Sequence, residues 1–205
     1  MSTLRRSHPL SRRGLLAQVS LLVILGAGCQ APPPNETVAD ADAARRAYLG
    51  LDVAVDRALK LGFDGFNAAS NANIPTQMDV GDKSGTMTVG GKVDQGASNN
   101  KEMDLQVTLV GYSDGPVEDM YEIVYDGDAV LDLSLRGLPE ADLTGTLRGE
   151  FTMSGALAGP VALELSITGK TEEGPDGTIR RKPGTIHVVG TATSDYGVFE
   201  IDVGL

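Results

Sequence analysis

Hydrophobic and polar residues alternate along most of the chain beyond residue 84, which is the pattern of β-strands with one buried and one exposed face. The clearest example is the run from Met103 to Leu109, in which every second residue is apolar. Because the segments that separate such runs are short, successive strands are expected to pair antiparallel. The predicted strands are eight, near residues 86–94, 102–112, 119–125, 129–136, 142–154, 160–169, 185–193 and 198–203.

Turn-forming residues separate these runs. Asp126-Gly127 lies between two of them and predicts a tight hairpin, because glycine readily adopts the positive φ that such a turn needs. The longest break covers residues 171–184 and holds three glycines and two prolines, so it is expected to form a loop.

A helical period replaces the alternation over residues 39–61. Apolar residues recur three or four positions apart between Tyr48 and Leu59, which predicts one amphipathic helix that packs on a sheet. Asp40 or Asp42 can cap its amino end, and Gly62 is placed just past its carboxyl end.

The predicted fold is therefore mainly β (α+β), in a single domain over residues 39–205. An N-terminal helix packs on a curled antiparallel meander of about eight strands, which is shaped like a barrel or half-barrel. A β-sandwich is the alternative. A transmembrane β-barrel has less support, because the nine Phe and Tyr residues and the absence of Trp leave too few aromatics for its girdles.

The first 28 residues differ in charge from everything that follows. They contain Arg5, Arg6, Arg12 and Arg13 and no acidic residue, and residues 14–28 form an apolar run. A basic start followed by such a run predicts a secretory signal peptide. The twin arginines also fit the twin-arginine export motif, so both that route and the general secretory route remain open.

The single cysteine of the chain, Cys29, follows Gly26-Ala27-Gly28 at the end of this run. This segment resembles the lipobox of bacterial lipoproteins, although Gly26 stands where that family usually has an aliphatic residue. The resemblance covers residues 1–30. It implies that residues 1–28 are removed and that Cys29 becomes the lipidated N-terminus, with acyl chains such as palmitate. The alternative is a conventional signal peptide that leaves Cys29 as a free thiol.

Residues 29–38 are expected to be a tether between the lipid and the domain. Pro32-Pro33-Pro34 favours an extended polyproline II segment and excludes a helix. Gln30 stands where an aspartate retains enterobacterial lipoproteins at the inner membrane. By that resemblance the protein is expected at the outer membrane, on its periplasmic or its surface side.

The charge balance bears on the partners. The chain has 205 residues and a net charge of −11, and four of its 17 basic residues lie in the signal peptide, so 13 basic side chains face 28 acidic ones in the mature chain. This excess argues against nucleic acid as a partner. Within the predicted helix, Asp52 and Asp56 lie one turn apart and are expected to repel each other.

Residues that could carry chemistry are few. His187, the one histidine beyond the signal peptide, is expected to be an exposed strand residue. Gly111-Tyr112-Ser113-Asp114-Gly115 matches a nucleophile elbow, but a strand is predicted on each side, so a β-turn is expected. No catalytic residue, metal site or cofactor is predicted, since the acidic groups lack calcium-loop spacing and one cysteine cannot build a four-cysteine zinc module.

The sequence thus predicts a lipid-anchored envelope lipoprotein that is a non-enzymatic binding or structural module. Its expected partners are the membrane, through Cys29, and either an apolar ligand on the concave face of the sheet or another envelope protein. An envelope enzyme that uses His187 with Ser113 or with carboxylates is the second hypothesis.

Overall fold

The computed structural model describes residues 35–95 and 99–205, so the predictions on the signal peptide and on Cys29 lie outside the described residues. The helices are α1, Ala41–Leu49, and α2, Asp52–Ala68. The strands are β1 Asn73–Val80, β2 Ser84–Gln95, β3 Asn100–Ser113, β4 Pro116–Val117, β5 Tyr121–Arg136, β6 Asp142–Gly155, β7 Gly159–Glu173, β8 Ile179–Arg181, β9 His187–Ser194 and β10 Gly197–Gly204. No described helix has the length and hydropathy needed to cross a bilayer.

All ten strands belong to one antiparallel sheet, which is curled but not closed. Its order is β1-β2-β3-β5-β6-β7-β9-β10, and the short strands β4 and β8 pair with β5 and β7. The mainly β class and the half-barrel form are confirmed. The β-sandwich alternative is wrong, because the strands form one sheet and the helices, rather than a second sheet, cover its inner face.

The hairpin predicted at Asp126-Gly127 is wrong, because β5 continues straight through it. Gly127 has φ 151° and lies opposite Phe151 of β6, where a Cβ atom would be 2.1 Å from the carbonyl oxygen of Glu150. Two residues of β3 face one residue of β5 at this point, and the amide of Gly111 in this bulge donates to Asp126 Oδ1 at 2.8 Å. The Asp-Gly pair therefore bends a strand and does not end it.

Three strands were not predicted. β1 contains Pro75 within a register shift, which breaks the alternation from which strands are recognised. β4 and β8 have two and three residues, too few to show a period. Of the predicted strands, two merge into β5, and the other six correspond to β2, β3, β6, β7, β9 and β10.

The single predicted helix is two helices that extend seven residues further, to Ala68. Asp40 caps α1 as predicted, since its carboxylate accepts from the amide of Ala43 at 2.7 Å. Gly62 lies inside α2 and not after its end. A Cβ atom there would be 3.0 Å from the Leu105 side chain, so the glycine lets the helix approach the sheet closely.

The break between the two helices lies over a buried tyrosine. The hydroxyl of Tyr125 donates to the carbonyl of Ala47 at 2.9 Å and so satisfies an acceptor that the end of α1 leaves free. A Cβ atom at Gly50 would lie 2.3 Å from that hydroxyl. The absence of a side chain at Gly50 thus fixes where the helical segment can bend onto the sheet.

Candidate functional site

The concave face of the sheet, where an apolar ligand was expected, is occupied by the helices. Leu51, Ala54, Val55 and Ala58 pack against it and are buried. The cavity left at this contact has a volume of about 20 Å³ and an apolar lining. Pockets that hold small molecules have volumes of roughly 300–1,000 Å³, so this space has no room for a lipid chain.

One buried ion-pair cluster joins α2 to the segment between β7 and β9 that contains β8, residues 174–186, which we call the β8 arm. The Arg181 side chain is 5% exposed, and its Nε lies 2.7 Å from Asp56 Oδ1 while its Nη1 lies 2.8 Å from Asp52 Oδ1. Its Nη2 donates to Asp56 Oδ2 and to the Asp52 carbonyl, at 3.0 and 2.7 Å. Burial alone would lower the pKa of Arg181, but its hydrogen bonds to Asp56 and Asp52 raise it, so the guanidinium stays charged.

The expected repulsion between Asp52 and Asp56 is therefore offset by a cation between them. Arg181 lies 125 residues from Asp56 in the chain, so no local spacing in the sequence indicates the pair. Because every nitrogen of the guanidinium already has an acceptor, the cluster has no free donor for an anionic ligand. Its role is to hold the β8 arm against α2.

A second arginine cluster lies on another side of α2. Arg57 contacts three carboxylates, at 3.1 Å to Asp79 near the end of β1, 2.5 Å to Asp82 in the turn after β1 and 3.3 Å to Asp114 just after β3. The hydroxyl of Tyr112 donates to Asp114 at 2.7 Å. Together the two clusters connect α2 to β8 on one side and to the ends of β1 and β3 on the other.

Three tyrosines are buried in or near these contacts. Burial raises the pKa of Tyr125, Tyr48 and Tyr112 well above the ordinary value near 10, and hydrogen bonding or charge from Asp52 and Asp114 adds to the effect at the last two. All three side chains are therefore neutral in the folded domain at any pH at which it is stable.

Stability is expected to fall as the pH rises above about 10. The folded state keeps these three phenolic protons, whereas the unfolded chain releases them, so each buried tyrosine costs about 1.4 kcal/mol of stability per pH unit above that value. Urea unfolding between pH 9 and 11 measures the slope. Tyr125→Phe should make the slope shallower, and an unchanged slope in this variant would contradict the assignment to Tyr125.

The enzyme hypothesis combined His187 with Ser113 or with carboxylates: Ser113 lies far from His187, and the carboxylate beside His187, that of Asp202, is 77% exposed at the surface. His187 is exposed at the start of β9, as predicted, and its Nε2 is 2.7 Å from Asp202 Oδ1. Ser113 is fully buried at the end of β3, where its Oγ accepts from the amide of Gly115 at 3.3 Å. The strand register puts them at opposite ends of the sheet, because His187 is level with the start of β3. The β-turn predicted around Ser113 is wrong: Ser113 is the last residue of β3, and after residues 114 and 115 the strand β4 continues along β5 in the same direction, so the chain reverses only at residues 118–120.

Several acidic residues in turns and at strand surfaces have local partners. Asp128 accepts from Thr108 Oγ1 at 2.5 Å, and Glu172 pairs with Arg180. Hydrogen bonds from Thr178 lower the pKa of Asp176. Among residues 35–95 and 99–205, no three His, Cys, Asp or Glu side chains come together as metal ligands.

The chain reaches the sheet at one end of the domain, which we call the tether end. It comprises residues 36–38 with the turns at 118–120, 156–158 and 195–196. The amide of Glu36 donates to the Ala156 carbonyl, and the amide of Ala158 donates to the Glu36 carbonyl, both at 2.8 Å. The sheet thus holds the chain from Glu36 onward.

Side chains reinforce this attachment. Arg46 Nη2 lies 2.6 Å from the Glu36 carboxylate, and the guanidinium sits 4.5 Å from the centre of the Tyr121 ring. Ser194 Oγ donates to the Val38 carbonyl at 2.5 Å. Polar contacts from α1, from β9 and from residues 156–158 therefore converge on residues 36–38, so this last part of the predicted tether belongs to the folded domain.

Comparison with protein-family models, with curated proteins and with solved structures finds no match to this chain. The described residues form a filled interior, two clusters in which an arginine pairs with aspartates, and an end of the domain that holds residues 36–38.

Proposed function

We propose that the protein is a lipid-anchored component of the cell envelope whose folded domain is a non-enzymatic binding or structural module. The anchor is Cys29, the single thiol, at the end of the apolar segment. Acylation of this residue would hold the protein at a membrane, since each buried CH₂ contributes about 0.8 kcal/mol. Following Gln30, we place it at the outer membrane.

The filled concave face of the sheet is the observation that supports a binding or structural module over a carrier of apolar molecules. A carrier of apolar molecules needs an interior cavity, and the space between α2 and the sheet is about 20 Å³. Of the two expected kinds of partner besides the membrane, another envelope protein is therefore favoured over an apolar ligand. Such a partner would be bound by the surface of the domain.

The mass of the mature full-length protein tests the anchor. We expect a chain that begins at Cys29 and carries a diacylglycerol and an amide-linked acyl chain, and we expect globomycin to block its maturation. Cys29→Ser should abolish both the added mass and membrane association. Gln30→Ser is the matched control, since it changes the neighbouring residue and leaves the thiol. An unmodified Cys29 in the wild-type protein would refute the proposal.

Native purification tests the module. Mass spectrometry of the intact protein under non-denaturing conditions should detect the covalent lipid at Cys29 and no stoichiometric apolar molecule. If a free lipid is recovered in equal molar amount with the Cys29→Ser variant, the domain is a carrier and this half of the proposal is wrong.

A further inference from the structure

The length of the tether limits how far the domain can be from its lipid. Between Cys29 and Asn35 there are six residue steps, which span at most roughly 20 Å when fully extended. The chain is then fixed at Glu36 on the tether end. This distance is less than the ~30 Å diameter of a small domain. A folded partner therefore has too little room between the tether end and the bilayer.

Exposed apolar side chains are found on this same end. Tyr196 and Val198 are 63% and 64% exposed, and Met120 is 54% exposed. The amide of Tyr196 donates to Ser194 Oγ, the group that binds the Val38 carbonyl, so this turn lies directly beside the start of the domain. Met120 precedes Tyr121, whose ring contacts Arg46. All three side chains thus lie close to the point where the chain leaves the tether.

We propose that the tether end is a lipid-contacting surface, on which Tyr196, Val198 and Met120 enter the headgroup region of the bilayer that holds Cys29. The inference rests on the proposed lipid anchor. Tyrosine suits this position, because its ring is apolar while its hydroxyl can remain in contact with water and headgroups. The anchor supplies the affinity, and the three side chains set the orientation of the domain.

The charge of this end selects the kind of lipid. Asp195 is adjacent to Tyr196 and Asp119 is adjacent to Met120, so carboxylates stand next to two of the apolar side chains, whereas Glu118 is paired with Arg45. They would be repelled by anionic headgroups, whereas the ammonium of phosphatidylethanolamine is a favourable partner. The surface therefore fits a zwitterionic lipid layer.

Site-specific quenching in vesicles tests the inference. The full-length acylated protein with Tyr196→Cys is labelled with a thiol-reactive fluorophore. Only position 196 reacts, because the Cys29 thiol is already bonded to its lipid. The labelled protein is then reconstituted into vesicles of phosphatidylethanolamine and phosphatidylcholine that contain doxyl-labelled lipid. Asp202→Cys is the matched control, since Asp202 is exposed on β10, the strand that begins directly after Tyr196, and lies about 20 Å further along it. The mass of each preparation confirms that Cys29 is acylated.

We expect the label at position 196 to lose most of its fluorescence and the label at position 202 to lose little. Replacing part of the lipid with phosphatidylglycerol should weaken the quenching at position 196. Equal quenching at both positions, or none at either position, would overturn the lipid contact while leaving the anchor intact. A preparation without acylated Cys29 refutes the anchor itself, so the two failures are distinguishable.

Discussion

Arg181→Met is expected to lower the free energy of unfolding by about 3 kcal/mol, because it leaves the Asp52 and Asp56 carboxylates next to each other without their shared cation. The estimate lies at the low end for a broken buried ion pair, since the two carboxylates are 23% and 40% exposed and water solvates them in part. Equilibrium unfolding in urea measures the loss.

Arg180→Met is the matched control for this prediction. Arg180 is adjacent in the chain and also binds a carboxylate, that of Glu172, but its side chain is 51% exposed. An exposed pair of this kind contributes at most about 1 kcal/mol. Adding Asp52→Asn and Asp56→Asn to Arg181→Met should recover much of the loss, because the repulsion is then removed. Equal losses for the two arginine variants would contradict a structural role for the cluster.

The second large effect is expected at the bend of β5. Gly127→Ala should cost about 3 kcal/mol or more, because φ 151° strains any residue with a Cβ atom and because that atom would lie 2.1 Å from the Glu150 carbonyl oxygen. The neighbouring strand cannot move away from this contact without breaking its own pairing with β7. Thermal and urea unfolding both measure the effect.

Alanine substitutions at two other glycines distinguish the cost of the strained φ from the cost of the close contact. Gly159 also has a positive φ, 106°, but a Cβ atom there meets no other atom within 4 Å, so Gly159→Ala should cost only about 1 kcal/mol. Gly204 has neither the positive φ nor a close neighbour, and Gly204→Ala should be close to neutral. If Gly127→Ala costs no more than Gly159→Ala, then close packing of β5 on β6 is not what requires the glycine.

Most of the fold follows from residue alternation, and its exceptions follow from contacts between distant parts of the chain. Leu131, Leu133 and Leu135 alternate with polar residues and are all buried, as the period of two requires. Gly62 was expected to end the helix, because glycine disfavours helices. The structure keeps it in α2, where a Cβ atom would lie 3.0 Å from the Leu105 side chain and the glycine avoids that tight contact.

The candidate surfaces were less accessible to sequence reasoning. The pattern identified His187 as exposed, because strand parity alone decides that question. It did not identify Arg181 or Arg57 as partners of aspartates, since these contacts depend on how the sheet curls around α2. Nor could it place Tyr196 beside Val38, because 156 residues separate Val38 from Ser194, whose hydroxyl lies between them.

The attachment at Glu36 also determines how the domain would bear mechanical force. Tension that reaches the domain through residue 35 is applied first to the two backbone hydrogen bonds between Glu36 and residues 156 and 158, and to the ion pair with Arg46. These contacts lie ahead of α1 in the chain, so they must break before the helix is pulled. A pulling force from the anchor would therefore be borne by the sheet, whose strands are hydrogen-bonded to one another. The helices that fill the interior would not carry this force.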